Sequence, residues 1–160
     1  MMLTTKGRYA VMAMVDLANN GKGKPLPLSD IASRQDITLA YLEQIFSRLK
    51  AGQLVKSVRG PGGGYLLSRP VDKINIAEII TAVNEPIKMT RCDHNPDKGC
   101  TSTKARCLTH DLWDGLGNHI YSYLNSVTLD DICSRKLNVK PQLFATDPEK
   151  LRNLDLVSAN

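Results

Sequence analysis

Three segments in the N-terminal third of the chain have apolar residues at helical spacing. The first predicted helix is capped by Thr4 or Thr5 and ends at Gly21, within an Asn-Asn-Gly turn. A short helix over about residues 29–35 and a longer one over about residues 39–51 follow it, separated by a three-residue break. Two helices joined by so short a turn are typical of a helix-turn-helix.

The first turns of the third helix carry side chains suited to contacting DNA. Leu39 and Leu42 are predicted to point into the core. The residues predicted to face solvent are Thr38, Ala40, Tyr41, Glu43 and Gln44. On DNA, glutamine pairs bidentately with adenine, tyrosine and threonine reach phosphates, and glutamate accepts only from a cytosine amine. The alternative interpretation is an ordinary solvated helix face.

A glycine-rich stretch lies between two segments of β-prone residues, 54–58 and 65–68. It resembles a phosphate-binding loop only superficially, because it lacks the terminal Gly-Lys-Ser/Thr and leads into a strand rather than a helix. We therefore expect a β-hairpin, or wing, with Arg59 and Gly60 at the start of its tip. An arginine in that position can enter a narrow minor groove, whereas the simpler alternative is a flexible hairpin.

The C-terminal half contains three further predicted helices. They cover about residues 76–83, about residues 107–126 and about residues 128–135, the last capped by Thr128. The second has an apolar face wider than one small winged domain would cover, which favours dimerisation. The predicted fold class is mainly α with a small β wing: a winged helix-turn-helix domain plus a long dimerisation helix.

The expected organisation has four parts in chain order. They are a DNA-binding domain (residues 1–86), a cysteine-bearing loop (87–106), the dimerisation helix with a short terminal helix (107–136) and a disordered tail (137–160).

The positive charge is concentrated in the N-terminal half of the 160 residues. The net charge of the chain is +5, but residues 1–69 carry +6 and residues 70–160 carry −1. A concentrated positive field suits a polyanionic partner, although a charged surface that only maintains solubility would look the same. Together with the wing and the helix-turn-helix, the asymmetry favours double-stranded DNA.

The remaining composition excludes several classes of protein. The longest apolar run, residues 9–15, is too short to cross a bilayer, so we expect a cytoplasmic protein without a membrane partner. Structural disulfides are then not expected, and the four cysteines are better interpreted as ligands, redox sensors or buried thiols. No nucleophile with a base and no acid–base pair stands out, so we expect no enzyme.

Three cysteines and one histidine form the sharpest chemical pattern. Cys92, Cys100 and Cys107 are spaced C-x7-C-x6-C, and His110 follows as C-x2-H. Thiolates with an imidazole suit either zinc or an iron–sulfur cluster, and the C-x2-C knuckle usual in structural zinc sites is missing. Scattered residues without a ligand are the alternative. The other candidates are weaker: His94 is a second-choice ligand, Cys133 is a predicted buried thiol, and His119 has no assigned role.

Four motifs together resemble the IscR-type iron–sulfur cluster regulators, over about residues 1–136. The motifs are Leu3-Thr4-Thr5-Lys6-Gly7-Arg8-Tyr9-Ala10, Tyr41-Leu42-Glu43-Gln44-Ile45-Phe46-Ser47-Arg48-Leu49, Val58-Arg59-Gly60-Pro61-Gly62-Gly63-Gly64-Tyr65 and Cys107-Leu108-Thr109-His110. The resemblance implies a homodimeric winged-helix repressor that binds a [2Fe–2S] cluster through Cys92, Cys100, Cys107 and His110. It also implies that the cluster-bound form represses cluster-assembly genes, while the cluster-free form regulates a second class of promoter.

The implied partners are a pseudo-palindromic operator, a second copy of the chain and, as candidates, cluster-assembly scaffold proteins. The sequence departs from the family pattern in a longer ligand loop, in Ala40 at a position where a serine typically contacts DNA, and in Asp36 where a turn glycine is usual. Two alternatives stay open. One is a nitric-oxide- or redox-sensing iron–sulfur repressor of the same superfamily, and the other is a zinc-stabilised winged-helix DNA binder.

Glu43 is expected to set which operators are accepted. A carboxylate buried against DNA without a partner is strongly unfavourable, so Glu43 should exclude operators that offer it no cytosine amine. The resemblance implies that cluster binding changes this selection.

Overall fold

The N-terminal half folds into three helices and a hairpin, in the order that the apolar pattern predicts. The computed structural model describes residues 4–87, 100 and 105–137. The elements of this half are α1 (Thr5–Gly21), α2 (Leu28–Gln35), α3 (Leu39–Ala51), β1 (Val55–Val58) and β2 (Gly64–Leu67). The two strands pair antiparallel, with Val55 opposite Leu67 and Val58 opposite Gly64. The predicted winged helix-turn-helix is confirmed.

The rest of the described chain is helical. A 3₁₀ turn (Val71–Lys73) leads into α4 (Ile76–Ala82), and α5 (His110–Ser126) and α6 (Leu129–Cys133) follow after the cysteine-bearing segment. Thr128 caps α6 as predicted, because its side chain accepts from the Asp131 N–H and the Asp131 carboxylate accepts from the Thr128 N–H.

Helix α1 lies at the centre of the core. Ala10, Ala13 and Met14 are completely buried and Leu17 nearly so, and α1 packs against α2, α3, α4, α6 and β2. The small alanines let neighbouring helices approach closely, so they line the core while the larger Met12 is 36% exposed. Met12 is therefore the exception among the large apolar residues of α1, since Tyr9, Val11 and Val15 pack against the core.

The C-terminal helices pack onto the same core. The Ile76 N–H donates to the Val127 carbonyl and the Leu129 N–H to the Ile74 carbonyl, each at 2.9 Å. Leu129 is completely buried in the core cluster that α1 and α3 also form. Helix α6 is thus part of the body that carries the helix-turn-helix. The predicted four-part division of the chain stays a prediction.

Two local predictions are wrong in detail. Leu39, predicted to point inward, is 44% exposed, because side chains in a helix lean toward its N-terminus and Leu39 is the first residue of α3. Helix α5 begins at His110 rather than near Cys107, because the His110 N–H closes a turn onto the Cys107 carbonyl at 3.0 Å.

The turn between α2 and α3 is formed without glycine, since Asp36 adopts a left-handed conformation with φ of 53°.

A buried aspartate attaches α1 to the first helix of the helix-turn-helix. Asp16 is 4% exposed and accepts from Arg34 Nη2 at 2.7 Å and from Gln35 Nε2 at 2.7 Å, both on α2, and from Asn20 Nδ2 at 3.2 Å. Burial raises the pKa of Asp16, but the hydrogen bonds from Arg34, Gln35 and Asn20 outweigh it, so this pKa lies below its ordinary value. The ionised carboxylate is therefore the form that stabilises the fold.

Replacing Asp16 by asparagine should lower the free energy of unfolding at pH 7 by roughly 1–3 kcal/mol, because Arg34 loses its charged partner. The stabilisation from ionised Asp16 is present above its unfolded pKa, about 4, and is lost as pH falls through the lower folded pKa. The difference between wild type and Asp16→Asn should therefore shrink below about pH 4 in urea titrations. Equal stabilities at pH 7 would contradict this.

Candidate DNA-reading surface and metal centre

The exposed face of α3 carries the predicted reading residues. Thr38, Ala40, Glu43 and Gln44 are all exposed. Ser47 and Arg48 extend this face by one further turn and line the same shallow groove as Glu43 and Gln44. The sequence prediction did not include these two residues, although they follow Glu43 and Gln44 by four positions and so share their side of the helix.

Tyr41 lies at the edge of this face and is half-buried. Its ring packs edge-on against Tyr9 of α1, with centroids 6.0 Å apart and planes at 81°. This contact holds the start of α3 against the second turn of α1. We call α3 the reading helix, because it carries the residues predicted to contact DNA.

The wing is attached to the body at its base. The backbones of Leu26 and Tyr65 exchange two hydrogen bonds of 3.0 and 2.9 Å, and the Tyr65 ring packs against Phe46 of α3 with centroids 4.9 Å apart. A Cβ on Gly64 would lie 2.3 Å from the Leu26 carbonyl oxygen, so only glycine permits this approach. Arg59 and Gly60 are exposed at the tip, as predicted.

Two of the predicted ligands are in contact. Cys100 Sγ lies 3.2 Å from His110 Nδ1. The Cys100 N–H also donates to the Ala105 carbonyl at 2.9 Å. His110 is buried, with 9% exposure, although it is the first residue of its helix. A thiol and an imidazole ten residues apart thus meet at the start of α5.

The other predicted ligands are placed in part. Cys107 precedes α5, with its Sγ 3.7 Å from Thr109 Oγ1. Cys92 and His94 lie outside the described residues. Among residues 4–87, 100 and 105–137, no three cysteine, histidine or acidic side chains converge as a metal site.

The remaining candidates have different surroundings. Cys133 is half-buried on α6, and burial together with the charge of Asp130 raises the pKa of its thiol. A raised pKa disfavours the thiolate, and Cys133, predicted to be a buried thiol, is half-buried. His119 is exposed on α5.

One side of α5 presents apolar side chains to solvent. Leu112, Leu116 and Tyr123 are 63%, 38% and 54% exposed, and Trp113 beside them is 40% exposed. Helix α5 also packs against α4, and Leu124 contacts the core. A row of exposed large apolar residues on a 17-residue helix marks an interaction surface.

The fold and its exposed reading helix define a winged helix-turn-helix regulator of transcription. Residues 3–135 match the sequence model of the Rrf2 family, whose description is iron-dependent transcriptional regulator. The chain is 45% identical over 159 residues to the HTH-type transcriptional regulator IscR of Escherichia coli, an alignment that covers 98% of this chain and 96% of the relative. The chain therefore belongs to the Rrf2 family of iron-dependent transcriptional regulators.

Other relatives agree with this assignment. A protein of Azotobacter vinelandii that carries the name HTH-type transcriptional regulator ORF2 is 52% identical over 135 residues, covering 84% of this chain and 80% of that protein. The solved structure of T. potens IscR has a TM-score of 0.68 and 33% identity, covering 85% and 88% of the two chains. CymR of B. subtilis, titled the global cysteine regulator, has a TM-score of 0.69 and 31% identity, covering 84% and 98%.

These comparisons fix the general activity. The protein is a DNA-binding transcriptional regulator and not an enzyme, as the sequence predicts. Within the part of the chain that the structure describes, every helix is too short or too polar to cross a membrane.

Gln44 and Arg59 should make different contributions to DNA affinity. Gln44→Ala should relax the sequence preference at one base pair, at a cost of roughly 1–3 kcal/mol for the matched base. Arg59→Ala should weaken binding mainly where a narrow minor groove adjoins the half-site. Binding titrations against operators with single base-pair changes would measure both effects. A Gln44→Ala loss that is the same on random duplex DNA would refute base reading by Gln44.

Proposed function

We propose that this protein is a homodimeric repressor of iron–sulfur cluster assembly genes that senses cluster status through a bound [2Fe–2S] cluster. The proposed ligands are Cys92, Cys100, Cys107 and His110. The observation that carries the proposal is the contact of 3.2 Å between Cys100 Sγ and His110 Nδ1. Membership in a family of iron-dependent regulators and the likeness to IscR support it.

The donor atoms near the start of α5 fit such a group chemically. Thiolates and imidazoles are ligands of iron in clusters, and the N-terminal end of a helix favours thiolate over thiol. His110 is buried with its Nδ1 toward a sulfur atom, which limits its orientation before any metal binds. When bound, the cluster would supply a redox-active and oxidant-labile centre. The chain itself would supply the ligands and hold them beside the DNA-binding body.

Two other functions use the same residues. A nitric-oxide- or redox-sensing repressor of the same family would also hold an iron–sulfur cluster but would respond to a different signal. A zinc-stabilised DNA binder would use thiolates and imidazole without visible absorption. The likeness to CymR, a cysteine regulator, also shows that this fold serves more than one signal.

We further propose that the exposed apolar side of α5 pairs two copies of the chain. Burying Leu112, Leu116 and Tyr123 against their counterparts would remove from water the large apolar side chains that the single chain leaves exposed. A two-fold dimer would present two α3 helices and two wings, as a pseudo-palindromic operator requires. Cluster-assembly scaffold proteins are proposed as partners that deliver the cluster.

Alanine replacement of Cys92, Cys100 or Cys107 should abolish the visible absorption of the anaerobically purified protein, because each removes one ligand. His110→Ala should alter or abolish the absorption, and His110→Cys should retain a cluster of altered stability, since thiolate also binds iron. Absorption spectra with iron and sulfide analysis measure these effects.

Cys133→Ala is the matched control, because Cys133 is half-buried on α6 and is not a proposed ligand. It should leave the spectrum unchanged. A colourless wild-type protein that contains stoichiometric zinc would overturn the cluster proposal. An unchanged spectrum in His110→Ala would move the fourth ligand elsewhere, with His94 the next residue to replace.

Leu116→Asp should convert the dimer to a monomer, because it places a charge within the proposed apolar interface. The variant should lose most of its operator affinity, since a two-fold operator needs two reading helices. Sedimentation and binding titrations measure the two effects. Ser122→Asp adds the same charge on the polar side of α5 and should remain dimeric. A monomeric wild type at micromolar concentration would contradict the proposal.

A further inference from the structure

The N-terminus of α1 is capped by a residue distant in sequence. Helices α4 and α6 each begin with a capping box built from their own first turn. Thr4, the N-cap residue of α1, caps none of the N–H groups of its own helix with its side chain, and the first turn contains no acidic residue. The unsatisfied N–H groups of such a helix end need another acceptor.

Glu85 supplies that acceptor. Its carboxylate accepts from the Thr4 N–H, from the Thr4 hydroxyl at 2.8 Å and from the Gly7 N–H at 2.7 Å. The side chain is buried, with only 7% of the residue exposed. One carboxylate thus accepts hydrogen bonds from the N–H groups of both the N-cap residue and the third residue of the helix. It lies 78 or more residues away along the chain. We call this contact the Glu85 clasp.

Gly7 leaves the space that the Glu85 carboxylate occupies. A Cβ at position 7 would lie 2.4 Å from Glu85 Oε2, closer than real Cβ atoms approach any neighbour. The glycine in the Lys-Gly-Arg motif of α1 is therefore required by the carboxylate and not by the backbone conformation of the helix. A larger residue at position 7 should therefore displace the Glu85 carboxylate without any change to Glu85 itself.

The position of Glu85 is fixed by the end of α4. Asn84 is left-handed, with φ of 57°, and its N–H donates to the Thr81 carbonyl at 2.9 Å. The Glu85 N–H donates to the Ile80 carbonyl at 3.3 Å. These two bonds form a Schellman motif, which fixes the backbone at Glu85 where the chain leaves α4.

The clasp joins two functional parts of the molecule. Along the sequence, Glu85 precedes Cys92, the first proposed ligand, by seven residues. On the other side, α1 holds the reading helix through the edge-on contact of Tyr9 with Tyr41. Glu85 therefore contacts the first turn of α1, and the second turn of α1 contacts the start of α3.

We propose that Glu85 is a positioning residue that couples cluster occupancy to the reading helix. This second proposal rests on the proposed function, in which the protein binds a cluster. The clasp joins the chain that follows α4 to the N-terminus of α1, so that binding of a cluster by the proposed ligands is transmitted to α1 and, through Tyr9, to Tyr41. Coupling of this kind is reciprocal: if the cluster tightens DNA binding by a given factor, DNA binding tightens the binding of the cluster by the same factor.

The test compares variants by the ratio of apo to holo dissociation constants for one operator at fixed salt, under anaerobic conditions. Glu85→Gln replaces one accepting oxygen by an NH₂ group, and Gly7→Ala displaces the intact carboxylate. Both should reduce the ratio at least about fivefold toward unity, within the usual range of coupling factors. At equilibrium with a competing chelator, followed by visible absorption, operator DNA should no longer favour retention of the cluster in either variant.

Glu78→Gln is the matched control, because it weakens the local capping box of α4 without touching α1. It should lower thermal stability while leaving the apo-to-holo ratio unchanged. If Glu85→Gln and Gly7→Ala behave in the same way as this control, Glu85 only stabilises the fold and the inference is wrong.

Hydrogen exchange on the wild type gives a readout that does not depend on whether the variants fold. The Thr4 and Gly7 amides should become more protected on cluster assembly, and equal protection in apo and holo protein would overturn the inference. Failure of the proposed function has a different signature, since a wild type without visible absorption has no cluster to couple. In that case both proposals are refuted together.

Discussion

The burial of α1 is the constraint on which the rest of the structure depends. Its side with Ala10, Ala13 and Met14 is covered by the helix-turn-helix, by the wing and by the C-terminal helices at the same time. Two carboxylates then fix its ends, Asp16 toward α2 and Glu85 at the N-terminus. Since buried carboxylates are favourable only when fully hydrogen-bonded, each allows little variation in where α1 lies. The reading helix and the end of α4 consequently form one packed body.

This arrangement places the DNA-binding helix and the residues proposed to hold a cofactor on elements that pack against one core. Residues of α6 enter the core that supports α3, and α5 begins at His110, where a proposed ligand is buried against Cys100. The outer side of α5 remains apolar and exposed, where a second chain would cover it. The proposed cluster, the proposed dimer surface and the DNA surface are thus carried by elements that share packing contacts.

The sequence predicts the local features of this structure well. The bounds of α3 agree because its signals are neighbours in the chain, a capping position at Thr38 and a stop at Gly52. Leu39 is exposed although the pattern predicts it in the core, because it is the first residue of α3 and its side chain leans toward the N-terminal end of the helix, which spacing alone does not reveal. The clasp of Glu85 on α1 and the pairing of Asp16 with Arg34 join residues far apart in sequence, and no local pattern distinguishes these carboxylates from solvated ones. The Cys100–His110 contact agrees with a ligand set whose motif is specific, although spacing alone left zinc and iron–sulfur chemistry open.

The proposed cluster is expected to control how tightly this protein binds its operator. The most direct measurement is a pair of anaerobic titrations of the wild-type protein, with and without its cluster, against one operator selected with the cluster-bound form at fixed salt. We expect the cluster-bound protein to bind at least about tenfold more tightly, a coupling within the range known for linked sites. Identical dissociation constants for the two forms, with both shown to be folded dimers, would contradict it.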